Sequence, residues 1–214
     1  MFYIYNAPRK CIYLVGIDEV GRGPIAGPVA VAAVLLYSKG SYSHFEGIKD
    51  SKKLSPLQRE NWFNKITQLK DEQLLDFAVS FVGNEMIDKC GIVHSTQSAL
   101  ARALEQICVE PDKIQVLLDG GLIAPTQFQF QETIIKGDEK EPLIAAASII
   151  AKVTRDQLMT NVIDARYPGY GFASHKGYGS QMHLEAIERL GPCSIHRMSF
   201  APLRNRTNGW SGDG

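Results

Sequence analysis

No surplus of basic residues, no paired cysteines and no long apolar run mark this sequence, and each absence removes a class of protein. Lysine and arginine number 23 and are matched by 23 aspartates and glutamates. Overall charge therefore gives no footprint of nucleic-acid binding. Such a site would need a local basic patch, offset by acids gathered elsewhere. The four cysteines, Cys11, Cys90, Cys108 and Cys193, stand far apart and form no C-x-x-C pair. That argues against zinc and, in a chain this long, against a disulfide framework, so reduced thiols are expected. The first ten residues have no basic segment leading into an apolar core, so no signal peptide is read there. The longest apolar stretch, Gly27 to Tyr37, is too short for a helix to span a bilayer. A cytoplasmic monomer with no membrane association is expected.

What is present is a core. The 214 residues are 44% hydrophobic, and nothing in the composition divides them, so a single domain over 1–204 is expected, with a flexible polar tail over 205–214. Cys11–Ile17 and Pro28–Leu36 read as buried strands separated by a Gly- and Pro-rich turn. Ser55-Pro56 places an N-cap beside a first-turn proline and opens a helix to about Leu69. Leu74–Val82 reads as a strand, Ser95–Cys108 as a helix, Ile114–Leu118 as a strand and Phe128–Ile135 as a shorter one. Leu143–Ala165 reads as one long helix and Gln181–Leu190 as the last, while Ser38–Ser43 reads as loop. That order predicts an α/β fold with a mixed central sheet flanked by helices and a helical C-terminal part.

The acids fall at strand ends. Asp18 and Glu19 follow the first strand, Asp119 follows Ile114–Leu118, and Asp138 follows the Phe128–Ile135 segment. Carboxylates gathered at one sheet edge repel unless a hard divalent cation neutralises them, and oxygen ligands suit Mg²⁺ and Mn²⁺. Three or four carboxylates can hold two ions for phosphodiester cleavage. Spacing alone leaves the alternative open, since acids after strands also form turns and cap helices. Consecutive strand residues face opposite ways, so adjacent Asp18 and Glu19 could share a site only if the strand ends before them.

The stretch from Gly16 to Val29, Gly-Ile-Asp-Glu-Val-Gly-Arg-Gly-Pro-Ile-Ala-Gly-Pro-Val, resembles the opening motif of the bacterial ribonuclease HII family. Asp50-Ser51-Lys52-Lys53-Leu54-Ser55, Leu118-Asp119-Gly120, Ile144 to Asp156, Tyr167 to Ser180 and His196 to Pro202 match the same family in order, so the resemblance spans residues 14–203. Ser180 stands where threonine is usual, and Met198 where arginine is common. The resemblance implies a ribonuclease H-like fold and a metal-dependent endonuclease, using Mg²⁺ or Mn²⁺ in a two-metal mechanism. It implies hydrolysis of the RNA strand of RNA–DNA hybrids and nicking 5′ of single ribonucleotides in DNA duplexes, leaving 3′-hydroxyl and 5′-phosphate ends. A role in ribonucleotide excision, DNA replication and repair follows. The family's four acids map onto Asp18, Glu19, Asp119 and Asp138. The similar ribonuclease HIII family carries a long N-terminal extension and a glutamate as its fourth acid. A first motif at Gly16 and an aspartate at 138 favour HII.

RNA differs from DNA at the 2′-hydroxyl, which both donates and accepts hydrogen bonds. Gly21-Arg22-Gly23 lets the backbone approach a ligand, and by resemblance it reads that hydroxyl together with Tyr178. Without the resemblance, a plain tight turn is the simpler reading of the glycines, and Tyr178 could tuck back onto the last helix. In the family the equivalent tyrosine packs on the deoxyribose after the ribonucleotide. Between Lys49 and Lys70 stand six basic residues and two acids, a flank suited to phosphates. Lys49, Lys52, Lys53, Lys152, Arg155 and Lys176 are the candidate phosphate contacts. Ser148, Lys152 and Arg155 fall near one helical face that could present polar groups to the substrate. His94, His183 and His196 read as structural or surface residues, with His196 a phosphate candidate. A catalytically idle nucleic-acid-binding module on the same fold would lack one of the four acids. A phosphohydrolase for small molecules would not need the basic run or the Tyr178 loop.

Overall fold

The computed structural model describes residues 13–107 and 110–205. Cys11, Cys108 and the tail expected beyond Asn205 lie outside them. Strand β1 (Tyr13–Val20) leads through the Gly-rich turn into β2 (Val29–Leu36). Two short 3-10 turns, Lys39–Phe45 and Ser51–Lys53, precede α1 (Pro56–Asp71) and β3 (Leu75–Val82). Then come α2 (Asn84–Gln106), β4 (Ile114–Asp119), β5 (Gln131–Ile134), α3 (Gly137–Lys140) and α4 (Pro142–Gln157). A π-helical segment, Leu158–Ile163, continues α4 into α5 (Asp164–Arg166), followed by α6 (Phe172–His175) and α7 (Gln181–Leu190).

The five strands lie in the order β3-β2-β1-β4-β5. β2 runs antiparallel to both β1 and β3, and β4 parallel to both β1 and β5. The sheet is mixed, as expected. Every residue of β2 is buried, which explains its unbroken apolar run: a strand covered on both faces need not alternate. Val15, Ile17, Val31, Ala33 and Leu35 pack with Ala99, Leu100 and Ala103 of α2 on one face. Leu14, Ala32, Val34 and Leu36 pack with Ala147, Ile150 and Ala151 of α4 and Ile66 of α1 on the other. A third cluster joins Ile25 and Ala26 of the turn to Met159, Phe172, Ile187 and Leu203.

Local chemistry sets the element ends. At α1 the Ser55 hydroxyl accepts the Gln58 N–H while the Gln58 side chain accepts the Ser55 N–H; a cap of this kind stabilises a helix by about 1 kcal/mol. At Gly16 a Cβ would stand 2.3 Å from the Leu143 carbonyl carbon. The bare backbone there lets the start of α4 press against β1.

Four elements differ from expectation. β1 runs on through Asp18 and Glu19, because its pairing with β2 continues to Val20↔Ala30. α2 starts eleven residues before Ser95, because Gly91 (φ 83°, ψ 160°) breaks the helix and its apolar period. The expected helix from Leu143 to Ala165 changes to π geometry at Leu158, and Ser38–Ser43 largely falls in a 3-10 turn. Among the described residues no helix is long and apolar enough to cross a membrane.

Candidate active site

The parallel register of β1 and β4 sets Ile17 opposite Leu118, so the next residues, Asp18 and Asp119, come side by side. β4 pairs Asp119 with Ile134 of β5. The chain then turns through Lys136, in the left-handed region at φ 56°, and the Gly137 N–H donates to Asp119 Oδ1 at 2.6 Å. That turn delivers Asp138. Carboxylate oxygens of Asp18, Asp119 and Asp138 all lie within 4.8 Å of one another.

Burial and the neighbouring carboxylates of Glu19 and Asp119 push the Asp18 carboxyl well above its ordinary range, while a hydrogen bond from Ser148 pulls the other way. Burial and then Asp119 and Asp50 raise Asp138, against the opposing pull of Lys52. Lys52 Nζ lies 3.3 Å from Asp138 Oδ2. One lysine faces three gathered acids. The donor set is all oxygen, anionic and under-neutralised, which fits a hard divalent cation.

Glu19 departs from expectation. As a strand residue it faces away from Asp18, and it stands outside the three-carboxylate group. Its Oε1 pairs with Arg22 Nη1 at 3.1 Å. Its Oε2, however, is buried with no hydrogen-bond partner, a costly state for a carboxylate oxygen that a cation would relieve.

The expected phosphate contacts divide. Lys49, Lys52 and Lys53 are exposed, and Lys53 pairs with Glu139 at 2.8 Å. Lys152 is bonded to Asp156 at 3.0 Å. Ser148 is buried, 2.8 Å from the Ser51 hydroxyl, so it orients Asp18 and Ser51 and shows nothing to a substrate. Arg155 is a correction. It is fully buried, with Nε donating to Pro28 O (2.9 Å), Nη1 to Lys176 O (3.1 Å) and Nη2 to Ala26 O (3.4 Å). None of those three nitrogens faces a phosphate.

Arg197, within the terminal motif and not among the candidate contacts, completes the same clasp. It is fully buried too and donates to Gly27 O (2.9 Å), Arg22 O (3.0 Å) and Gly21 O (2.7 Å). Burial, with Arg155 beside it, brings its guanidinium down to about 9, which leaves it charged at neutral pH. Two guanidinia thus hold six backbone carbonyls, five of them in the turn between β1 and β2. A signal for Arg155 existed: it lies on the apolar stripe of α4 with Ile144 and Ala151, a position where an arginine must find buried acceptors.

Gly21 is buried with φ +87°, and a Cβ there would meet Arg155 Nε at 2.3 Å. Gly23 is exposed, and a Cβ would lie 3.9 Å from Tyr178 Cε1. The Tyr178 ring is 43% exposed beside that turn. His196 is buried against His183, which corrects its reading as a phosphate contact.

Comparison with known proteins bears on the family and the fold. The family profile for ribonuclease HII matches residues 15–203. A ribonuclease HII of Ruminiclostridium cellulolyticum is 47% identical over 188 residues, 88% of this chain and 69% of that protein. The crystal structure of ribonuclease H2 from Pyrococcus horikoshii matches with a TM-score of 0.70 at 27% identity, covering 90% of this chain and 96% of the other. Bst-RNase HIII in complex with Mn²⁺ matches at 0.61 and 18% identity, covering 91% and 68%, a likeness of fold.

Proposed function

This chain belongs to the ribonuclease HII family and is an endoribonuclease, and we propose that it nicks duplexes on the 5′ side of embedded ribonucleotides, leaving 3′-hydroxyl and 5′-phosphate ends. The observation that carries this reading is the group of three carboxylates within 4.8 Å at the edge of the sheet. Asp18, Asp119 and Asp138 would hold Mg²⁺ or Mn²⁺, and Glu19, outside that group but with its Oε2 buried and unpartnered, would turn toward the ion as a further ligand. When bound, such ions lower the pKa of a water molecule and stabilise the departing 3′-oxygen.

The chain's own groups supply recognition. Arg155 and Arg197 draw the turn's carbonyls inward, so the Gly21-Arg22-Gly23 backbone is preset to meet a ribose 2′-hydroxyl without reorganising. The exposed Tyr178 ring beside Gly23 stacks on the following sugar, and Lys52 and Lys53 attract the phosphates. The full complement of acids disfavours an idle binding module. Substrates are RNA–DNA hybrids and ribonucleotide-containing DNA, with a role in ribonucleotide excision during replication and repair. We read the protein as a cytoplasmic monomer with a single catalytic domain over 1–204.

A labelled DNA duplex carrying one ribonucleotide tests the activity. Cleavage 5′ of the ribonucleotide is expected with Mg²⁺ or Mn²⁺, none in EDTA, and none of an all-DNA duplex; cutting of the all-DNA control would sink the reading. Tyr178→Ala is expected to lower cleavage at a single ribonucleotide by about tenfold more than cleavage of a long hybrid, the scale of one lost stacking contact. Equal losses on both substrates would remove Tyr178 from junction reading.

A further inference from the structure

Outside the carboxylate site, His175, His183 and His196 pack together behind the Tyr178 loop. His183, on α7, and His196 are both buried. His183 Nδ1 lies 2.8 Å from the Tyr178 carbonyl oxygen. A carbonyl only accepts, so Nδ1 carries the proton. Burial pushes His183 down to about 4, so the ring is neutral at working pH and its Nε2 offers a lone pair. That nitrogen faces His196 Nε2 at 3.1 Å, and the contact is a hydrogen bond only if His196 carries its proton on Nε2. His196 Nδ1 must then accept, and the Cys193 N–H lies 2.9 Å from it. The Cys193 carbonyl oxygen is also near, at 3.1 Å, but a proton on Nδ1 for that oxygen would leave two buried ring lone pairs facing each other. One polarity runs through the chain, from the Cys193 amide to His196, to His183, to the Tyr178 carbonyl.

The rings have little room to turn. His175 stacks on His183 with centroids 4.1 Å apart and planes at 15°, and Phe172 meets His183 edge-on at 5.3 Å. Tyr178 itself lies between Gly177, at φ +86°, and Gly179, residues that leave a backbone loose. Its carbonyl takes two bonds, from His183 and from the Ser180 N–H at 2.8 Å.

We propose that His196 and His183 form a hydrogen-bonded relay that ties the C-terminal segment to the Tyr178 backbone and thereby sets the aim of the Tyr178 ring on the substrate. Both are positioning residues, and the inference rests on the reading of Tyr178 given above. An exposed ring on a Gly-flanked loop needs a fixed backbone to discriminate between substrates, because an unfixed one spends its contact energy on ordering.

Two measurements test it. Nitrogen-15 NMR of the full-length protein should find His183 protonated on Nδ1 and His196 on Nε2; the opposite tautomer in either ring overturns the relay. Cleavage kinetics then compare a single ribonucleotide in DNA with a long hybrid. His183→Ala should lower that ratio by about tenfold, as one orienting hydrogen bond is lost. His183→Asn, whose side-chain N–H can replace Nδ1–H, should restore most of it, and both variants are followed by their melting temperatures. The double variant H183A/Y178A should do no more to the ratio than Tyr178→Ala alone, since both changes act through one ring. Multiplying effects would overturn the inference, as would a ratio unmoved by His183→Ala but moved by Tyr178→Ala. A ratio unmoved by Tyr178→Ala would instead overturn the reading of Tyr178, and the relay's purpose with it.

Discussion

Asp18→Asn will reduce cleavage by on the order of a thousandfold or more, the scale of several kcal/mol of transition-state stabilisation, and in EDTA it will melt at a higher temperature than the unaltered protein. The two results share one cause. Asp18 is buried beside Glu19 and Asp119, and its carboxyl is held well above the ordinary range. A carboxyl raised in the folded state penalises folding when ionised. The penalty is present above the folded-state pKa and fades as pH falls through it. Asparagine keeps the shape, still accepts from Ser148 and removes the charge. Each kcal/mol relieved raises the midpoint by about 2–4 °C in a chain of this size. Magnesium should reverse the order, because a cation bound only by the folded native site stabilises it by mass action. Melting curves in EDTA and in magnesium, at pH 8 and at pH 5, check all of this. An EDTA midpoint for the variant below that of the native chain would refute the strain at Asp18, and full activity would refute its role. Asp119→Asn should likewise abolish cleavage while leaving duplex binding largely intact.

Gly21→Ala will cost about 3 kcal/mol of stability, combining a left-handed backbone with an overpacked site. It will also lower cleavage at a single ribonucleotide by about a hundredfold, as expected for a reading group displaced by an ångström. The new Cβ would meet Arg155 Nε at 2.3 Å, Arg155 Cδ at 2.8 Å and the Pro28 carbonyl oxygen at 2.9 Å. Arg155 must move, and three carbonyls lose their donor. Gly23→Ala is the comparator, because its Cβ would meet only Tyr178 Cε1, at 3.9 Å, and its fold should be unaffected. Denaturant melts and single-turnover cleavage of the pair decide the matter. Equal stability for the two variants would mean the clasp does not depend on a bare backbone at Gly21.

The legible parts were those fixed by local chemistry. The last helix has the bounds its period predicts, Gln181–Leu190, and α1 starts where a serine cap precedes proline. Asp119 could be placed because it ends a short apolar run, and Asp138 because it follows the shorter strand expected over Phe128–Ile135. Glu19 beside Asp18 departs from its local pattern for a tertiary reason: β1 keeps its ladder to Val20 only because β2 is there to pair with it. Arg197 carries no such local mark, and Arg155 only its place on the apolar stripe of α4, because a guanidinium reads as surface until its acceptors are known. Those acceptors lie more than 120 positions away for Arg155 at Pro28 and more than 170 for Arg197 at Gly21. The π segment was invisible for a similar reason. Its widened turn seats Met159 where a Cβ on Gly27 would meet the sulfur at 2.7 Å, a contact with another part of the chain.

Arg197 has a consequence for synthesis on the ribosome. Gly21 is translated 176 residues before the side chain that grips it, and domains emerge from the N-terminus first. The opening strands can pair early, yet the Gly21-Arg22-Gly23 turn stays unanchored until the final stretch has left the exit tunnel. A chain released before Arg197 would carry all four acids without the grip on the turn that, in the proposed reading, meets the ribose 2′-hydroxyl.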